Sequence, residues 1–523
     1  MLAVQRGRSL LRRRGLSTVT ELPRNARTVI VGGGVIGTSI AYNLAKRGMT
    51  DIVLLEKNRL TSGTTWHAAG LVGQLRASKI ETMLCAEAPG VYSRLEEETG
   101  LATGFKHCGS LATAQTKDRF EIMRRNVARA RSYGLEAELL TPQECNHKMG
   151  GLIRTDDLVG GLWLPGDGSG SPTDLTMSFA AGARKFGVAI HEGVAVSSFR
   201  TASQGSGVPK VVGLETSDGQ RIDCEWVVLC SGQWSRELAA SCGVGVPLHS
   251  CEHFYITTNT MEGVHPMLPV YRDNDSYTYF REWGTGMLVG GFEPNAKPIW
   301  TAGPPADFAF SLLPDDQDHF IDQIWQGAAH RMPSLESATI NSWVNGPESF
   351  TPDNQYILGP APELRGFFVA AGLNSAGIAN AAGAGILTAD WIINGHPGRD
   401  VWNLDIRRFA AFHANPAFLR DRCAEVLGLH YQMPWPRREL ASARGMRRTP
   451  LHAAHVAGGA VFGQKFGWER VNYFVPTRDE FGSPLEPHAH AEACAAAAVP
   501  TVASLPNWLA HARREHLHTR AKV

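Results

Sequence analysis

This chain has no excess charge of either sign: 51 Lys+Arg are met by 50 Asp+Glu, a formal charge of +1. No global field therefore points to nucleic acid or to an acidic membrane surface. Paired cysteines are lacking too. Nine, an odd number, are scattered from Cys85 to Cys494 without one C-x-x-C. That excludes a zinc ribbon, a thioredoxin-type site and a disulfide framework, and reads as free thiols in a reducing compartment. No apolar run has the ~20 uninterrupted residues of a membrane span. The longest candidate, Gly366 to Ile393, is rich in Ala and Gly and is broken by Asn374, Ser375 and Asn380. It reads as a buried strand, a glycine-rich turn and a helix. What the chain has in excess is glycine, 55 of 523 residues, against a usual share of roughly 7%. Extra glycine suits backbone that must closely approach a large ligand. The length exceeds the ~250–300 residues at which single cores stop growing, so two or three units are expected.

The two ends differ from the middle. No acid precedes Glu21, while Arg6, Arg8, Arg12, Arg13 and Arg14 interleave with Leu2, Val4, Leu10, Leu11 and Leu16. An Arg-rich, acid-free amphipathic segment reads as a mitochondrial presequence, here residues 1–26. From residue 477 to 523 the composition turns to low complexity. His488, His490, His511, His516 and His518 lie there without ligand spacing, so a disordered or loosely helical tail is expected and no metal site.

The strongest local signal runs from Thr28 to Glu56. A β-branched run, Thr28-Val29-Ile30-Val31, is followed by Gly32, Gly34 and Gly37 as G-x-G-x-x-G, with Val35 and Ile36 between them. Ala41, Leu44 and Gly48 continue at helical spacing, and a second strand, Ile52 to Leu55, ends in Glu56 and Lys57. This is the dinucleotide fingerprint: a tight turn, backbone close to a pyrophosphate, a helix N-terminus facing the anion, and an acid for a ribose hydroxyl. Two further strands end in small-residue turns, Trp226 to Gly232 (followed by Trp234) and Phe367 to Gly372, while Val194 to Val196 leads into a polar hairpin. One nucleotide-binding domain assembled from about 27–90, 166–239 and 341–400 is expected. The stretches about 91–165 and 240–340, rich in aromatic and β-branched residues, are read as an inserted antiparallel domain. Residues 401–476 read as helical and then loop.

The loop after the fingerprint reads Gly63-Thr64-Thr65-Trp66-His67-Ala68-Ala69-Gly70-Leu71. From the residues alone, His67 fits either a cofactor contact or a packed, hydrogen-bonded histidine. The motif resembles the flavinylation loop of the dimethylglycine and sarcosine dehydrogenase family, FAD-dependent amine oxidoreductases of mitochondria, and the resemblance runs from about Thr28 to Pro476. It implies an α/β plus β-rich fold: a discontinuous Rossmann-type FAD-binding domain, like glycine oxidase, with an inserted antiparallel-sheet substrate domain. It also implies FAD attached covalently through His67. Further flavin contacts would come from Val196, Trp234 and the turn Leu373-Asn374-Ser375-Ala376-Gly377-Ile378, and proton handling from His253 and Tyr279. Arg281 is a candidate partner for a substrate carboxylate.

The implied reaction is oxidation of a small N-methyl amine in the mitochondrial matrix, releasing formaldehyde and passing electrons to an electron-transfer flavoprotein. Several stretches, Cys251 to Tyr255, Gly290 to Trp300, and Phe466 to Arg470 with Tyr473 to Pro476, look closer to a regulatory branch, the regulatory subunit of pyruvate dehydrogenase phosphatase. That branch implies the phosphatase catalytic subunit as partner and FAD as a structural element, but its vertebrate form lacks the Trp-His pair kept here. The family's folate-binding, aminomethyltransferase-like domain is not found after Pro476. An NAD(P)-linked dehydrogenase, the third reading, leaves the Trp66-His67 loop without a role.

Overall fold

The computed structural model describes residues 21–203, 205, 207–435, 438–475 and 509–522. Two large sheets organise the molecule. The first has eight strands in the order Ile357–Pro360, Phe367–Ala371, Arg221–Leu229, Asn25–Val31, Ile52–Glu56, Ala189–Glu192, with a hairpin of Val196–Ala202 and Lys210–Thr216 attached to Arg221–Leu229. Its central pairs are parallel, and Leu55, Val31, Leu229 and Val369 fall in one row at the carboxyl ends. Both faces are buried, which is why these strands are apolar without alternation. Ile30, Leu54, Val228 and Phe368 meet the helices Val35–Lys46, Pro172–Lys185 and Gly377–Asn394. Val29, Val53, Val227 and Phe367 pack on the opposite face, where the hairpin supplies Phe199 and Leu214.

Two fingerprint glycines are required by close approach. A Cβ on Gly32 would lie 2.4 Å from the Cys230 carbonyl oxygen, and one on Gly37 would lie 2.0 Å from that of Gly32. Gly32 also has a φ of +117°, a conformation L side chains rarely adopt.

The second sheet has nine strands, among them His249–Thr258, Thr278–Trp283, Gly286–Gly291 and Ile340–Phe350. It is antiparallel except where Val270–Asp273 runs parallel to Ser110–Ala114. Its edges differ from the sequence boundaries in two places. Ile340–Phe350, placed from 341 onward in the nucleotide half, pairs with His249–Thr258 along nearly its whole length. The helix Lys79–Thr99, cut at residue 90 by the sequence reading, packs whole against Gly377–Asn394 and Pro172–Lys185.

The terminal segments differ from expectation as well. Leu22 is buried, and Asn25–Val31 is already in register with its neighbour at Asn25, so a leader ending at residue 26 would cut a paired strand. Residues 1–20, which carry the arginines of that leader, lie outside the described residues. Residues 401–475 are not helix then loop. They hold the helix Pro416–Gly428, a shorter one, His452–Ala457, and a β-hairpin, Ala460–Lys465 with Trp468–Phe474. Of the tail, Leu509–Lys522 is a helix carrying His511, His516 and His518, while His488 and His490 lie outside the described residues. No described helix is long and apolar enough to cross a membrane, and no group of three or more His, Cys, Asp or Glu among the described residues could hold a metal.

Candidate active site

Parallel α/β sheets bind ligands at the carboxyl ends of their strands, and a cavity of about 530 Å³ opens there. One end is the fingerprint. The helix Val35–Lys46 begins at Gly34 with no acid in its first turn, and its N-terminus lines the cavity, where Val35 N donates to Thr65 Oγ1 at 3.2 Å. Glu56 ends the neighbouring strand, buried, accepting hydrogen bonds from Gly33 N at 2.7 Å and Asn58 N at 2.8 Å. Lys57 lies 3.5 Å from the centroid of the Trp234 ring, and burial lowers its pKa to about 8. Val196 closes this end.

The other end is the turn Leu373 to Ile378. Asn374 and Ser375 both have positive φ, and the Asn374 Oδ1 accepts from Thr351 N at 2.8 Å, which holds the turn in this sparsely populated conformation. The helix that follows, Gly377–Asn394, is uncapped and likewise acid-free in its first turn. A dinucleotide with a pyrophosphate at one helix N-terminus and a flat ring at the other fits these residues.

Of the residues singled out in the sequence, Gly32, Gly34, Val35, Ile36, Glu56, Lys57, Gly63, Thr64, Thr65, Ala68, Val196, Trp234, Leu373, Asn374, Ser375, Gly377 and Ile378 line the cavity. Gly37, Trp66, His67, Ala69, Gly70, Leu71 and Ala376 stand behind its wall. His67 closes the 3-10 turn Thr64–His67. Its ring is 4% exposed and packs against Gly346, with Trp66 edge-on at 5.5 Å. Burial lowers its pKa to about 4, only partly opposed by Glu348 nearby, so the imidazole is neutral.

The second sheet presents one face to this loop. Gly346, against His67, pairs with His253. Tyr255 and Tyr279 both pair with Gly290, and Tyr279 also pairs with Arg272, so these side chains share a face. His253 Nε2 lies 3.0 Å from the Tyr279 hydroxyl, and both groups are buried. Burial lowers the His253 pKa to about 4 and raises that of Tyr279 well above its ordinary value. His253 Nδ1 has no hydrogen-bond partner. Arg281, the carboxylate candidate, is already engaged: it donates to the carbonyls of Ala69 (2.8 Å), Gly170 (3.1 Å) and Glu282 (3.0 Å). It braces the loop that carries His67.

Several residues of the site were not found in the sequence. Glu348 lines the cavity beside His67 with one carboxylate oxygen unpaired, and burial raises its pKa. From the segment after the helix Pro416–Gly428, His430 stacks on Phe292 at 4.3 Å and Tyr431 meets it edge-on at 4.7 Å, and Phe292 lies 4.8 Å from His253. No local signal marks them, because strand register and a long-range docking bring them together.

The comparisons agree with this geometry. The model of the family described as FAD dependent oxidoreductase matches residues 27–391, and that of the FAD dependent oxidoreductase central domain matches residues 394–449. The chain is 41% identical to human mitochondrial sarcosine dehydrogenase, over 90% of this chain and 51% of that protein. It is 39% identical to the mitochondrial pyruvate dehydrogenase phosphatase regulatory subunit of mouse, over 87% of this chain and 51% of that one. The chain thus spans about half the length of these relatives. Among solved structures it is similar to glycine oxidase from Geobacillus kaustophilus, with a TM-score of 0.61 and 25% identity, over 74% of this chain and 100% of that one. With a fingerprint cavity, a second sheet facing it and a family match across most of its length, the chain belongs to the FAD-dependent oxidoreductase family, among relatives of sarcosine dehydrogenase.

Proposed function

We propose that this chain oxidises an N-methylated glycine of the sarcosine or dimethylglycine type in the mitochondrial matrix, with FAD held covalently through His67. The observation that carries the reading is the buried, neutral His67 just behind the cavity wall, on the side of the His253–Tyr279 pair of the opposing sheet. Gly32 to Gly37, Glu56 and the turn Leu373 to Ile378 would hold the cofactor. Bound FAD supplies the hydride acceptor.

The rest is the work of the side chains. A substrate amine must be neutral before it can give up a hydride. His253 is neutral, so it sets no positive charge beside the amine, and with Nε2–H donating to Tyr279 its unpaired Nδ1 can accept a hydrogen bond from a substrate N–H. Loss of hydride from the N–CH₃ group leaves an iminium on the substrate, and addition of water splits it into the demethylated amine and formaldehyde. Packing of Phe292, His430 and Tyr431 excludes bulk water from this corner. An electron-transfer flavoprotein would then accept the electrons.

A second reading, regulation of pyruvate dehydrogenase phosphatase through its catalytic subunit, is favoured by the 39% identity to that enzyme's regulatory subunit. Anaerobic mixing with sarcosine, dimethylglycine and longer N-methyl amino acids separates the two. Bleaching of the flavin by one of them supports catalysis. No bleaching, with a shifted Mg²⁺ response of the phosphatase catalytic subunit, supports regulation. For localisation, the imported protein should begin before Leu22; a chain that still starts at Met1 would contradict matrix targeting.

A further inference from the structure

Phe292 and Glu293 sit where the second sheet is open. On one side, the strand His249–Thr258 is paired without a break from His249 to Thr257 with Ile340–Phe350. On its other side the ladder is interrupted. Tyr255 pairs with Gly290 and Cys251 with Pro298, so the neighbouring chain leaves at Gly290 and returns at Lys297, whose carbonyl accepts from Glu252 N at 2.9 Å. His253 and Phe254 stand opposite this gap, and as neighbours in a strand they point to opposite faces. The loop spanning the gap touches both. The Phe292 ring lies 4.8 Å from His253, on the face of the candidate site. Glu293 Oε1 lies 4.0 Å from Nε2 of His319, whose ring packs on Phe254 at 5.4 Å on the other face.

Glu293 is fully buried, and neither of its carboxylate oxygens meets a partner among the described residues beyond its own backbone N–H. His319 Nε2 is unpartnered too, as are His253 Nδ1 and one oxygen of Glu348 at the cavity. Buried polar atoms are normally hydrogen-bonded, so unmet ones on both sides of a gap call for bridging water or a mobile proton. Beyond His319 lies the surface: its backbone N–H donates to Asp316 Oδ1 at 3.2 Å, and Asp316 pairs with Lys297, both partly exposed. Glu252 and Cys251 from one strand, Tyr279 and Glu348 from two others, Lys297 from its own loop and His319 from the helix Gln317–Phe320 face Glu293. Burial holds its carboxyl up to about 8, opposed by its own N–H and Lys297 and reinforced by Glu252 and Glu348. Near neutral pH such a group both takes a proton and gives it up.

We propose that Glu293 relays protons between the substrate nitrogen and solvent, handing them through the gap in the sheet to His319. This rests on the amine-oxidising reading above and supplies a step that His253 leaves open. Burial keeps His253 neutral, so the proton that leaves the ammonium has to be taken further. The N–H bond breaks, the electron pair stays on nitrogen, and the proton crosses a bridging water to form the carboxyl O–H of Glu293. That O–H breaks in turn as His319 Nε2 takes the proton. Burial and Lys297 make His319 a weaker base than usual, so the imidazolium sheds the proton to solvent and the carboxylate and neutral ring are restored. No electrons are exchanged in the relay.

The test uses flavin-loaded protein in two measurements. Without amine, the infrared spectrum of wild type at pH 6 should contain a protonated-carboxyl band that is missing from Glu293→Gln and fades towards pH 9. With sarcosine or dimethylglycine, anaerobic stopped flow in weak buffer with an indicator dye follows proton release beside flavin bleaching. In wild type, release should keep pace with bleaching, and the bleaching rate should show a limb near pH 8. Glu293→Gln should bleach about 10²-fold more slowly, the lower end for a proton-transferring group, and lose that limb. Glu293→Asp should recover part of the rate. His319→Phe, which keeps a ring against Phe254, should slow proton release with a smaller loss of bleaching rate. A carboxyl with a structural role alone would leave the pH profile unmoved. Where the Gln variant retains no flavin, Glu293→Asp and His319→Phe decide. Wild-type bleaching and pH profile in Glu293→Gln, wild-type release in His319→Phe, or no carboxyl band that depends on Glu293 would overturn the relay while amine oxidation stands. If no amine bleaches the wild-type flavin, the amine-oxidising reading falls and the relay falls with it.

Discussion

Gly346→Ala is the most economical probe of how His67 is placed. A Cβ built on Gly346 would lie 2.4 Å from His67 Nδ1, 2.5 Å from Cε1 and 3.1 Å from Cγ. Ordinary contact begins near 3.4 Å, so ring or strand must give by about 1 Å. The strand cannot easily move, because Ile340–Phe350 is registered against His249–Thr258 from Phe350 to Ile340. The imidazole must therefore turn or retreat, and overpacking of this kind costs ~1–3 kcal/mol. Fingerprint and Glu56 are untouched, so native protein should keep its FAD. Attachment depends on attack geometry, where a displacement of ~1 Å can cost on the order of 10²-fold in rate. Flavin absorbance retained after acid precipitation should therefore drop sharply, while total flavin in native protein stays near wild type. His67→Ala is the control and should leave no acid-stable flavin. A Gly346→Ala variant with undiminished acid-stable flavin would refute the placement of His67 argued above.

Three further outcomes are expected. Glu56→Gln keeps the size of the side chain but removes its charge, and should weaken FAD retention roughly 10-fold, since hydrogen bonds to a charged group are worth ~1.5–3 kcal/mol; unchanged flavin content on dilution would remove Glu56 from the ribose. His253→Ala and Tyr279→Phe should slow flavin reduction by ~10²–10⁴-fold without releasing FAD, as stopped-flow traces at saturating amine would reveal. Stability should peak near pH 7. Burial holds His249, His253 and His413 down to about 4 and His430 to about 3, so from pH 6.5 to 4 the unfolded chain takes up protons that the folded one refuses, and stability falls with pH. Glu293 is pushed up to about 8 by burial, so the folded state keeps a proton that the unfolded state loses above about 4.5, and stability declines as pH rises towards 8. Urea midpoints that climb steadily from pH 5 to 8 would contradict this balance.

What could be read from the chain was what is written locally. The strand, glycine, helix, strand and acid between Thr28 and Glu56 lie within thirty residues and carry their own periodicity, and the structure places them as expected. The loop at His67 was legible as chemistry only through its resemblance to a flavinylation motif. The edges of the second sheet were not, because a strand's allegiance depends on which distant partner it pairs with: nothing between 340 and 350 says whether it belongs with Phe367 or with His253. The same limit hid the role of Arg281, and only the loop carbonyls at Ala69 and Gly170 show that it is a brace. The hairpin at Ala460–Phe474 was missed because a Gly467 turn between two short strands resembles any polar loop.

The strand order of the first sheet sets a schedule. Asn25–Val31 sits between Ile52–Glu56 and Arg221–Leu229, and the last wall of the cavity arrives only with Phe367–Ala371. Contacts spanning almost 350 residues must form before the fingerprint faces anything but solvent, and such non-local closure is slow. A growing or freshly translocated chain would hold a fingerprint long before it holds a pocket, with the apolar edges of its central strands open to aggregation. Cofactor loading must then be a late event, and once FAD is bound it would act as a clasp across segments that the backbone itself leaves far apart.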